Sequence, residues 1–510
     1  MLSKILSFGL LGIRGYAVVV EADINNGLPS FEMVGLPDTS IKESRERVHS
    51  AIKNSGLNYP MVKIIVNMAP ADTKKEGPIY DLPIALALLS ATGQIGGTST
   101  NDIIFLGELS LDGAIKHING VLPVLIAARE LGFKKVVIPF DNASEAGYIE
   151  GMEIYALKSL NEVVLFLSGM TEFTPVEARS FNSAKSRHTR GNDFSLVKGQ
   201  SSAKRALEIA AAGGHNVLMI GPPGSGKTML ARCFSSILPD MTFEEALEVT
   251  KIHSIAGVLD FNEGIITERP FRSPHHTAST VALTGGGKNS KPGEISLAHN
   301  GVLFLDEMPE YSRHTIETLR QPLEDGVITV ARAALTVEYP ACFTLIASMN
   351  PCPCGHFGSK DTQCKCSSSQ IHKYLNKLSG PLMDRIDLHV EVDNISYDEL
   401  TDKSVCETSA DIKKRVDNAR DLQLLRYKST KVYSNSKMSE KNIKEHCCLS
   451  SECESLLKDA FNRLGLSARA HNRILKVART IADLEGSQDI QIEHIAEAIQ
   501  YRSLDRKYWI

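Results

Sequence analysis

The chain has 510 residues, of which 43% are hydrophobic and 23% are charged, a composition typical of a globular protein with about three domains. Its 56 Lys and Arg residues are balanced by 60 Asp and Glu residues, which gives a formal charge of −4. This balance excludes a protein that binds nucleic acid through overall positive charge, although it is compatible with a local basic surface. The composition also excludes collagen-like, low-complexity and largely disordered chains.

The sequence indicates a cytoplasmic protein without a membrane partner. No run reaches the roughly 18 uninterrupted apolar residues that a membrane span needs. The apolar run 5–13 is ended by Arg14 and is followed by a strand pattern instead of a small-residue cleavage site, so it does not indicate a secretory signal. The 10 cysteines are clustered and are not spaced like a disulfide framework.

Residues 1–170 are predicted to form a mixed α/β domain, because short β-rich runs alternate with helical patterns. Three of these runs are predicted strands: 16–22, 62–66 and 135–139. One helix is predicted to begin at Ser40, where Glu43 completes a capping box, and to end at Gly56. A second helix is predicted over 82–92.

The rest of the chain divides into three predicted segments. Residues 171–192 are predicted to be a linker, since most of this stretch is rich in Ser, Arg and Asn. Residues 193–395 alternate apolar strands with helices, which predicts a parallel sheet with crossover connections. Residues 396–510 follow a helical pattern throughout. The predicted fold class is therefore α/β, with a parallel-sheet core between an α/β domain and a set of helices.

The strongest motif follows the apolar strand predicted at 217–220. It is a GxxxxGKT loop with a helical pattern after it, made of Gly221, Pro222, Pro223, Gly224, Ser225, Gly226, Lys227 and Thr228. This strand, loop and helix are the context of a phosphate-binding loop, in which backbone N–H groups and the helix N-terminus bind phosphates. We expect Lys227 to reach the β- and γ-phosphates and Thr228 to coordinate Mg²⁺. The predicted cofactors are therefore ATP and Mg²⁺.

Two further predicted strands end in polar residues. The strand at 302–305 is followed by Asp306 and Glu307. We expect Asp306 to hold Mg²⁺ and Glu307 to act as a general base toward the attacking water, while the alternative for this pair is a helix cap. A third apolar strand leads to Asn350, which is a candidate to orient the same water.

Three such strands in this order resemble the AAA+ ATPases. Further segments resemble the magnesium-chelatase-like group and, within it, the ComM/YifB family, which has this three-part layout: 272–277 (RSPHHT), 293–299 (GEISLAH), 350–355 (NPCPCG) and 384–387 (DRID). The resemblance implies that Arg385 is an arginine finger that reaches the γ-phosphate of a neighbouring subunit. It also implies that Arg469 is the second sensor arginine on a helical lid, with Arg473 as a substitute. A surface salt bridge is the alternative for each arginine.

The first domain resembles the Lon-type protease fold at 75–81 (KEGPIYD) and 107–113 (GELSLDG). In that family a serine follows the Gly-Pro pair, and a lysine beyond the second motif is its base. Here Ile79 and Leu122 stand at those positions, so both groups of a Ser–Lys mechanism are missing. We therefore expect an assembly or partner-binding role and no peptidase activity.

Two CxC pairs form a candidate structural Zn²⁺ site: Cys352, Cys354, Cys364 and Cys366. Unligated thiols are the alternative, and His356 and His372 are possible substitute ligands. His275 and His276 are adjacent, and on an extended segment their side chains would point to opposite faces. That arrangement favours contact with nucleic acid or phosphate over metal binding.

The resemblance implies an ATP-driven homo-oligomer, a hexamer, that translocates on single-stranded or branched DNA. Its implied role is branch migration during integration of transforming DNA, alongside recombination proteins. The candidate DNA contacts are cations on predicted loops: Lys288, Lys291, Arg332 and Arg272. Solvated surface loops are the alternative for these segments. The rival function is an ATPase subunit of a magnesium-chelatase-like remodelling complex, and Ile79 and Leu122 disfavour an ATP-dependent protease.

Overall fold

The structure is a computed structural model that describes the following residues: 1–95, 100, 102–184, 192–260, 264–287, 290–332, 335–358, 363–395, 397–401, 406–428, 432–504 and 508. The candidate DNA contact Lys288 lies outside these residues, and so does the side chain of Arg332. No helix among the described residues has both the length and the apolar character needed to cross a membrane.

The first part of the chain is a mixed α/β domain. Its elements are β1 (Leu2–Leu11), β2 (Arg14–Asn25), β3 (Ser30–Val34), α1 (Thr39–Asn54), β4 (Lys63–Ala69), α2 (Asp81–Ala91), β5 (Ile103–Phe105), β6 (Glu108–Leu109), β7 (Ile115–Lys116), α3 (Val121–Glu130), β8 (Lys135–Pro139), α4 (Ala143–Ala146), β9 (Glu153–Leu157), α5 (Leu160–Ser168) and α6 (Phe181–Ala184). Seven strands form one sheet in the order β3-β4-β2-β1-β5-β8-β9. The three predicted strands of this domain are confirmed.

The helices of this domain follow their apolar patterns. Helix α2 is buried along nearly its whole length, because apolar residues occupy all its faces. The predicted capping box of α1 is wrong. Its N-cap is Asp38, whose carboxylate accepts a hydrogen bond from the backbone N–H of Ile41. Asp38 also accepts from the N–H of Gly77 across the domain, a tertiary contact that local sequence does not reveal.

The positions of the missing protease dyad lie inside this domain. Ile79 is 9% exposed and Leu122 is 1% exposed, and both side chains belong to the same hydrophobic core. These two positions therefore contribute apolar packing and supply neither a nucleophile nor a base.

The central part of the chain is built around a parallel sheet. Its elements are α7 (Ser201–Gly213), β10 (Val217–Ile220), α8 (Lys227–Phe234), α9 (Phe243–Ala256), β11 (Phe271–Arg272), α10 (Thr280–Thr284), β12 (Gly285–Gly286), β13 (Lys291–Pro292), α11 (Glu294–Leu297), β14 (Val302–Leu305), α12 (Arg313–Glu317), α13 (Arg320–Asp325), β15 (Val327–Arg332), β16 (Leu335–Pro340), β17 (Thr344–Met349), α14 (Ser368–Leu375), α15 (Gly380–Met383) and β18 (Leu388–Glu391). The sheet order is β11-β14-β17-β10-β18.

All neighbouring strands of this sheet are parallel. β10 and β14 are buried at every position, as expected for strands covered on both faces by helices. Val217 pairs with Leu388 and Ile220 pairs with Glu391, so β10 and β18 begin and end together. Two small hairpins, β12–β13 and β15–β16, are separate from the sheet. The predicted α/β class with a parallel sheet is confirmed.

The last part of the chain is helical. Its elements are α16 (Tyr397–Thr401), α17 (Ser409–Arg426), α18 (Glu440–His446), α19 (Ser451–Leu464), α20 (Ala468–Leu484) and α21 (Ile492–Gln500). Helix α20 is its centre and packs against α7, α17 and α21. The fully buried Asp483 on α20 is paired with Arg426 at 2.6 Å and with Arg479 at 3.1 Å. The pair with Arg426 joins α17 to α20, and together the two arginines compensate a buried charge that would be costly alone.

The contacts between the first domain and the central part include one at α9 and one at the β15–β16 hairpin. The N–H of Gly120, at the start of α3, donates to the Ser254 hydroxyl on α9 at 3.1 Å. The turn between β1 and β2 touches the β15–β16 hairpin, where Gly12 lies directly against Val337. Helix α9 also packs against β13 and α11. The first domain is therefore connected to the β12–β13 hairpin through α9 and to the β15–β16 hairpin through Gly12.

The predicted linker is packed where the structure describes it. The backbone N–H of Val176 donates to Ile154 at 2.7 Å, and that of Arg179 donates to Gly147 at 2.8 Å. The ring of Phe181 on α6 lies 5.5 Å from that of Phe243 on α9. This segment is thus attached to both neighbouring parts of the chain, and the predicted domain boundaries remain predictions.

A buried carboxylate lies where α9 meets the first domain. Glu145 on α4 is 3% exposed and accepts hydrogen bonds from Asn142 at 2.6 Å and from the Ser254 hydroxyl at 3.1 Å. Burial raises the pKa of Glu145 to about 7. Between the ordinary pKa of a glutamate and this raised value, the folded protein binds the Glu145 proton more tightly than the unfolded chain does. The free energy of unfolding therefore falls as the pH rises through this range.

Glu145→Gln should remove this pH dependence, since an amide cannot ionise and can donate to Ser254 while accepting from Asn142. The free energy of unfolding of the variant relative to the parent should rise by about 3 kcal/mol between pH 4.5 and 8. Urea unfolding across this pH range measures the difference, with the exposed Glu150→Gln as the control. A difference that does not change with pH would contradict the buried-charge explanation.

Candidate nucleotide-binding site

The phosphate-binding loop connects β10 to α8 by a turn that requires glycine. A Cβ atom on Gly221 would overlap the carbonyl oxygen of Val392, beyond the end of β18. Gly226 precedes α8 with φ of 88°, in the left-handed region that glycine enters most easily. The loop is therefore fixed by close backbone packing against the neighbouring strand.

Lys227, the first residue of α8, is folded back into this loop. Its ammonium group donates to the carbonyl oxygens of Gly221 at 2.8 Å and Pro222 at 2.7 Å. Burial lowers the pKa of Lys227, and the Asp306 and Glu307 carboxylates oppose this shift. The cation thus lies inside the loop, among acceptors that phosphate oxygens can replace.

The two predicted magnesium ligands lie together. The Thr228 hydroxyl donates to Asp306 at 2.8 Å, because α8 begins beside the carboxyl end of β14. The other oxygen of Asp306 accepts from the Ser348 hydroxyl near the end of β17. A hydroxyl and a carboxylate oxygen are ligands that Mg²⁺ prefers. Sequence analysis missed Ser348, whose only signal was a polar residue near the end of an apolar strand.

Glu307 has an unusual backbone. Its φ of 51° is left-handed, which costs a non-glycine residue about 1 kcal/mol and is common at functional sites. The conformation is held by the Glu307 N–H, which lies 3.1 Å from both Asp306 Oδ1 and Ser348 Oγ. The Glu307 carboxylate is half exposed and lies 3.6 Å from Nδ1 of His276. A water molecule can therefore reach it.

The expected arrangement of the two adjacent histidines is wrong. The ring centroids of His275 and His276 lie 4.1 Å apart with the ring planes tilted by 32°, so the two rings lie side by side. His275 hydrogen-bonds to the hydroxyl of Thr277 two residues on, which describes a turn and not an extended strand. His276 is thereby placed beside Glu307, a neighbour that sequence spacing could not identify.

Asn350 completes this group at the carboxyl ends of β10, β14 and β17. Its Oδ1 atom lies 3.4 Å from the ammonium group of Lys227. The structure thus brings together Lys227, Thr228, Asp306, Glu307 and Asn350, all of which the sequence proposed for one site.

Arg385 lies at the opposite end of the strands, at the edge of the sheet where β10 and β18 begin. Its carbonyl accepts a hydrogen bond from the side chain of Asn216 at 3.0 Å, and Asn216 immediately precedes β10. The phosphate-binding loop follows the other end of that four-residue strand, about 13 Å away along the strand direction. Within one chain, Arg385 is therefore separated from the phosphate-binding loop by the length of the sheet.

Arg469 and Arg473 lie at this same edge. Arg473 is ion-paired with the buried Asp387 and donates to the Arg385 carbonyl at 3.1 Å, so it holds α20 against the sheet. Arg469, one turn earlier, is exposed. Burial and the positive charges of Arg469 and Arg320 lower the pKa of Arg385. The Arg385 guanidinium is also paired with Glu324.

The candidate DNA contacts differ in their surroundings. Arg272 forms a bidentate ion pair with Glu294, with hydrogen bonds of 2.6 and 2.7 Å. The Glu294 carboxylate raises the pKa of Arg272. In this structure its guanidinium is therefore engaged by Glu294, and its contact with DNA stays a prediction. Lys291 is exposed on β13. The backbone of Arg332 lies in β15, paired with Leu335.

The four predicted zinc ligands form one cluster. Their sulfur atoms all lie within 4.8 Å of one another, and three pairs are separated by 3.4, 3.7 and 3.6 Å. Four sulfurs at 2.3 Å from a tetrahedral Zn²⁺ would be separated by about 3.8 Å. The donor set fits a closed zinc site.

Comparison with known proteins assigns all three parts of the chain to one group. The family described as magnesium chelatase, subunit ChlI, matches residues 193–400. The family described as subunit ChlI of Mg-chelatase matches 20–142, and that of the ChlI C-terminal region matches 406–502. Part of the chain is also similar to Lon protease 2 of Bacillus subtilis, with 32% identity over 145 residues, covering 27% of this chain and 26% of that protein.

Two relatives align with nearly the whole chain. Competence protein ComM of Haemophilus influenzae is 43% identical over 510 residues, covering 99% of this chain and 98% of that protein. The uncharacterized protein YifB of Escherichia coli is 44% identical over 507 residues, with the same coverage of both chains. On this similarity and on its parallel-sheet core, the chain belongs to the ComM/YifB family of magnesium-chelatase-like AAA+ proteins.

Proposed function

We propose that this chain is an ATP-hydrolysing, ring-forming motor that acts on DNA and drives branch migration when DNA is integrated during natural transformation. The observation that most directly supports this proposal is that the proposed catalytic residues are divided between the two ends of the strands of the central sheet. The phosphate-binding loop and the paired Thr228 and Asp306 lie at one sheet edge, and Arg385 lies at the other. A full-length relative named as a competence protein supports the link to transformation, and the clustered thiols favour a reducing cytoplasm.

Membership of the AAA+ group implies ATP and Mg²⁺ as cofactors. In the proposed site the loop N–H groups and Lys227 bind the phosphates, and Thr228 and Asp306 hold Mg²⁺, which would neutralise charge developing on the phosphates. Glu307 accepts a proton from the attacking water, and Asn350 orients that water. His276 is a positioning residue for the Glu307 carboxylate.

Lys227→Ala should abolish nucleotide binding, because the charge and the hydrogen bonds at the terminal phosphates are lost. Glu307→Gln should still bind ATP but hydrolyse it at least about a hundredfold more slowly, since an amide cannot act as a base. Fluorescent-nucleotide titration and phosphate release separate the two effects. Parent-like turnover in both variants would show that the site is misplaced.

The position of Arg385 supports hydrolysis at a subunit interface. A side chain at the amino edge of one sheet can complete the phosphate site of an adjacent subunit if that subunit presents its carboxyl edge there. Such head-to-tail contacts close into rings, and we propose a hexamer. Arg469 lies beside Arg385 and is the favoured second sensor, since Arg473 is engaged by Asp387. To act, the Arg385 guanidinium exchanges Glu324 for a phosphate.

Arg385→Ala should bind ATP yet lose about 10³-fold or more in turnover, as arginine fingers do elsewhere. Mixing it with Lys227→Ala should restore part of the activity, because each variant supplies the half-site that the other lacks. Turnover is measured across mixing ratios, with mixed oligomers verified by differential tags. Absence of rescue in verified mixed oligomers would indicate a site completed within one chain.

The proposed DNA surface is centred on the β12–β13 hairpin. Lys291 is exposed there, and its neighbouring glycines allow a phosphate backbone to approach closely. A chain with net charge −4 must concentrate its cations locally to bind DNA. The first domain, joined to both hairpins through α9 and Gly12, would brace this surface, which gives the degenerate protease domain an assembly role.

Lys291→Ala should weaken DNA binding at every sequence tested and lower the magnitude of the salt slope by about one phosphate contact. The double change with Lys288 should lower it by up to about two. Fluorescence anisotropy over a salt series measures the slope, with the exposed Lys444→Ala on α18 as the matched control. An unchanged slope in the double variant would place the DNA elsewhere.

The alternative function is an ATPase subunit of a magnesium-chelatase-like remodelling complex, which the family matches over 193–400 favour. The two functions differ in what stimulates ATP hydrolysis. The motor should hydrolyse ATP faster with single-stranded or branched DNA. A turnover that no DNA structure changes, together with no DNA binding at low salt, would favour the remodelling function.

We also propose that the four clustered cysteines hold a structural Zn²⁺. Cys352, Cys354, Cys364 and Cys366 supply four sulfur ligands, which leave no open position on the metal. The sulfur separations given above support this assignment over unligated thiols.

A further inference from the structure

We propose that the Zn²⁺ held by the four cysteines fixes the phosphate-binding loop, so that metal occupancy controls the affinity for ATP. This proposal rests on the zinc site and the nucleotide site proposed above. It adds that the two sites form one rigid unit, because the backbone of residues 352–357, called here the cysteine loop, contacts the ring of Pro223 in the phosphate-binding loop.

The direct contact is between Gly355 and Pro223. Gly355 lies between the first CxC pair and His356, with φ of 83°, and a Cβ atom placed on it would lie 2.5 Å from Cδ of Pro223. The backbone of the cysteine loop therefore rests directly on the proline ring of the phosphate-binding loop. The Gly355 N–H donates to the Cys352 carbonyl at 2.9 Å, so the contact point is hydrogen-bonded to a proposed zinc ligand.

A second connection passes through the core below the loop. Cys352 is fully buried in the cluster that contains Ile220, the last residue of β10, and Met349, the last residue of β17. Cys352 is also only two residues beyond Asn350. A metal that fixes Cys352 thus restrains the ends of β10 and β17, which lead into the phosphate-binding loop and Asn350.

The far side of the cysteine loop is tied to the same sheet. The ring of Phe357 lies 6.3 Å from that of Tyr508, whose hydroxyl donates to Glu391 at 2.8 Å. Glu391 is the last residue of β18, which pairs with β10. The cysteine loop therefore contacts the phosphate-binding loop through Gly355 and connects to β18 through Phe357. A change in its conformation would alter the packing of the phosphate-binding loop through both contacts.

The test uses the full-length protein and two kinds of variant. Cys354→Ser with Cys366→Ser removes two ligands, and Gly355→Ala keeps all four thiols but pushes a methyl group into Pro223. The matched controls are Cys448→Ser, at an exposed thiol outside the cluster, and Gly465→Ala, at a left-handed glycine with no atom near its Cβ position. Zinc is measured by elemental analysis and nucleotide affinity by titration with a fluorescent ATP analogue.

The parent and both controls should carry about one zinc per chain and bind the analogue equally well. The double cysteine variant should lose the zinc, and its Kd should rise about tenfold or more. Gly355→Ala should retain the zinc and show a similar rise in Kd. A parent without zinc would overturn the metal site, while an unchanged Kd in either variant would overturn the coupling.

Two further measurements distinguish a failure of the coupling from a failure of the proposed ATPase and from unfolding of the double cysteine variant. Lys227→Ala should lose nucleotide binding and retain its zinc, so a parent that binds zinc but no nucleotide contradicts the proposed ATPase and not the metal site. If the double cysteine variant unfolds, Co²⁺-substituted parent replaces it. Its thiolate-to-metal absorption should shift when the analogue binds, and an unchanged spectrum at saturating nucleotide would overturn the coupling.

Discussion

The parallel register of the central sheet is the constraint on which the site depends. Since β10, β14 and β17 run in the same direction and end within two residues of one another, the residues that follow them meet at one edge. Thr228, Asp306 and Asn350 lie far apart in sequence and become neighbours through this register alone. A shift of one strand by a single residue would turn its polar end away from the others.

The same register separates the two halves of the proposed catalytic machinery. Asn216 and Asp387 mark the amino ends of β10 and β18, and Arg385 is held there by hydrogen bonds that also fix α20. A cation at this edge cannot serve the phosphate-binding loop at the other edge of its own sheet. Under the proposed function, ATP hydrolysis therefore requires a neighbouring subunit. The contact between subunits then depends on the nucleotide that is bound between them.

The sequence predicted the parts of the site that are encoded locally. The glycine loop, Asp306 and Glu307 are recognisable because strand, turn and helix signals are contiguous, and the fold class follows from the same alternation. Ser348 was missed, and the position of His276 beside Glu307 was not predicted, because both depend on neighbours brought in by other strands and loops. Asp38 replaced the predicted cap of α1 for the same reason, since its carboxylate also satisfies a distant backbone N–H. The pairing of Arg272 with Glu294 was likewise invisible to motif analysis.

Under the proposed function, ATP hydrolysis moves a DNA branch point. The most direct measurement follows a fluorescently labelled three-stranded DNA whose branch point can move only by exchanging paired strands, in the presence of purified protein and ATP. The branch point should advance with ATP, stop with a non-hydrolysable analogue, and not advance with Glu307→Gln. A branch point that stays in place while the protein hydrolyses ATP and binds the DNA would contradict the proposed function.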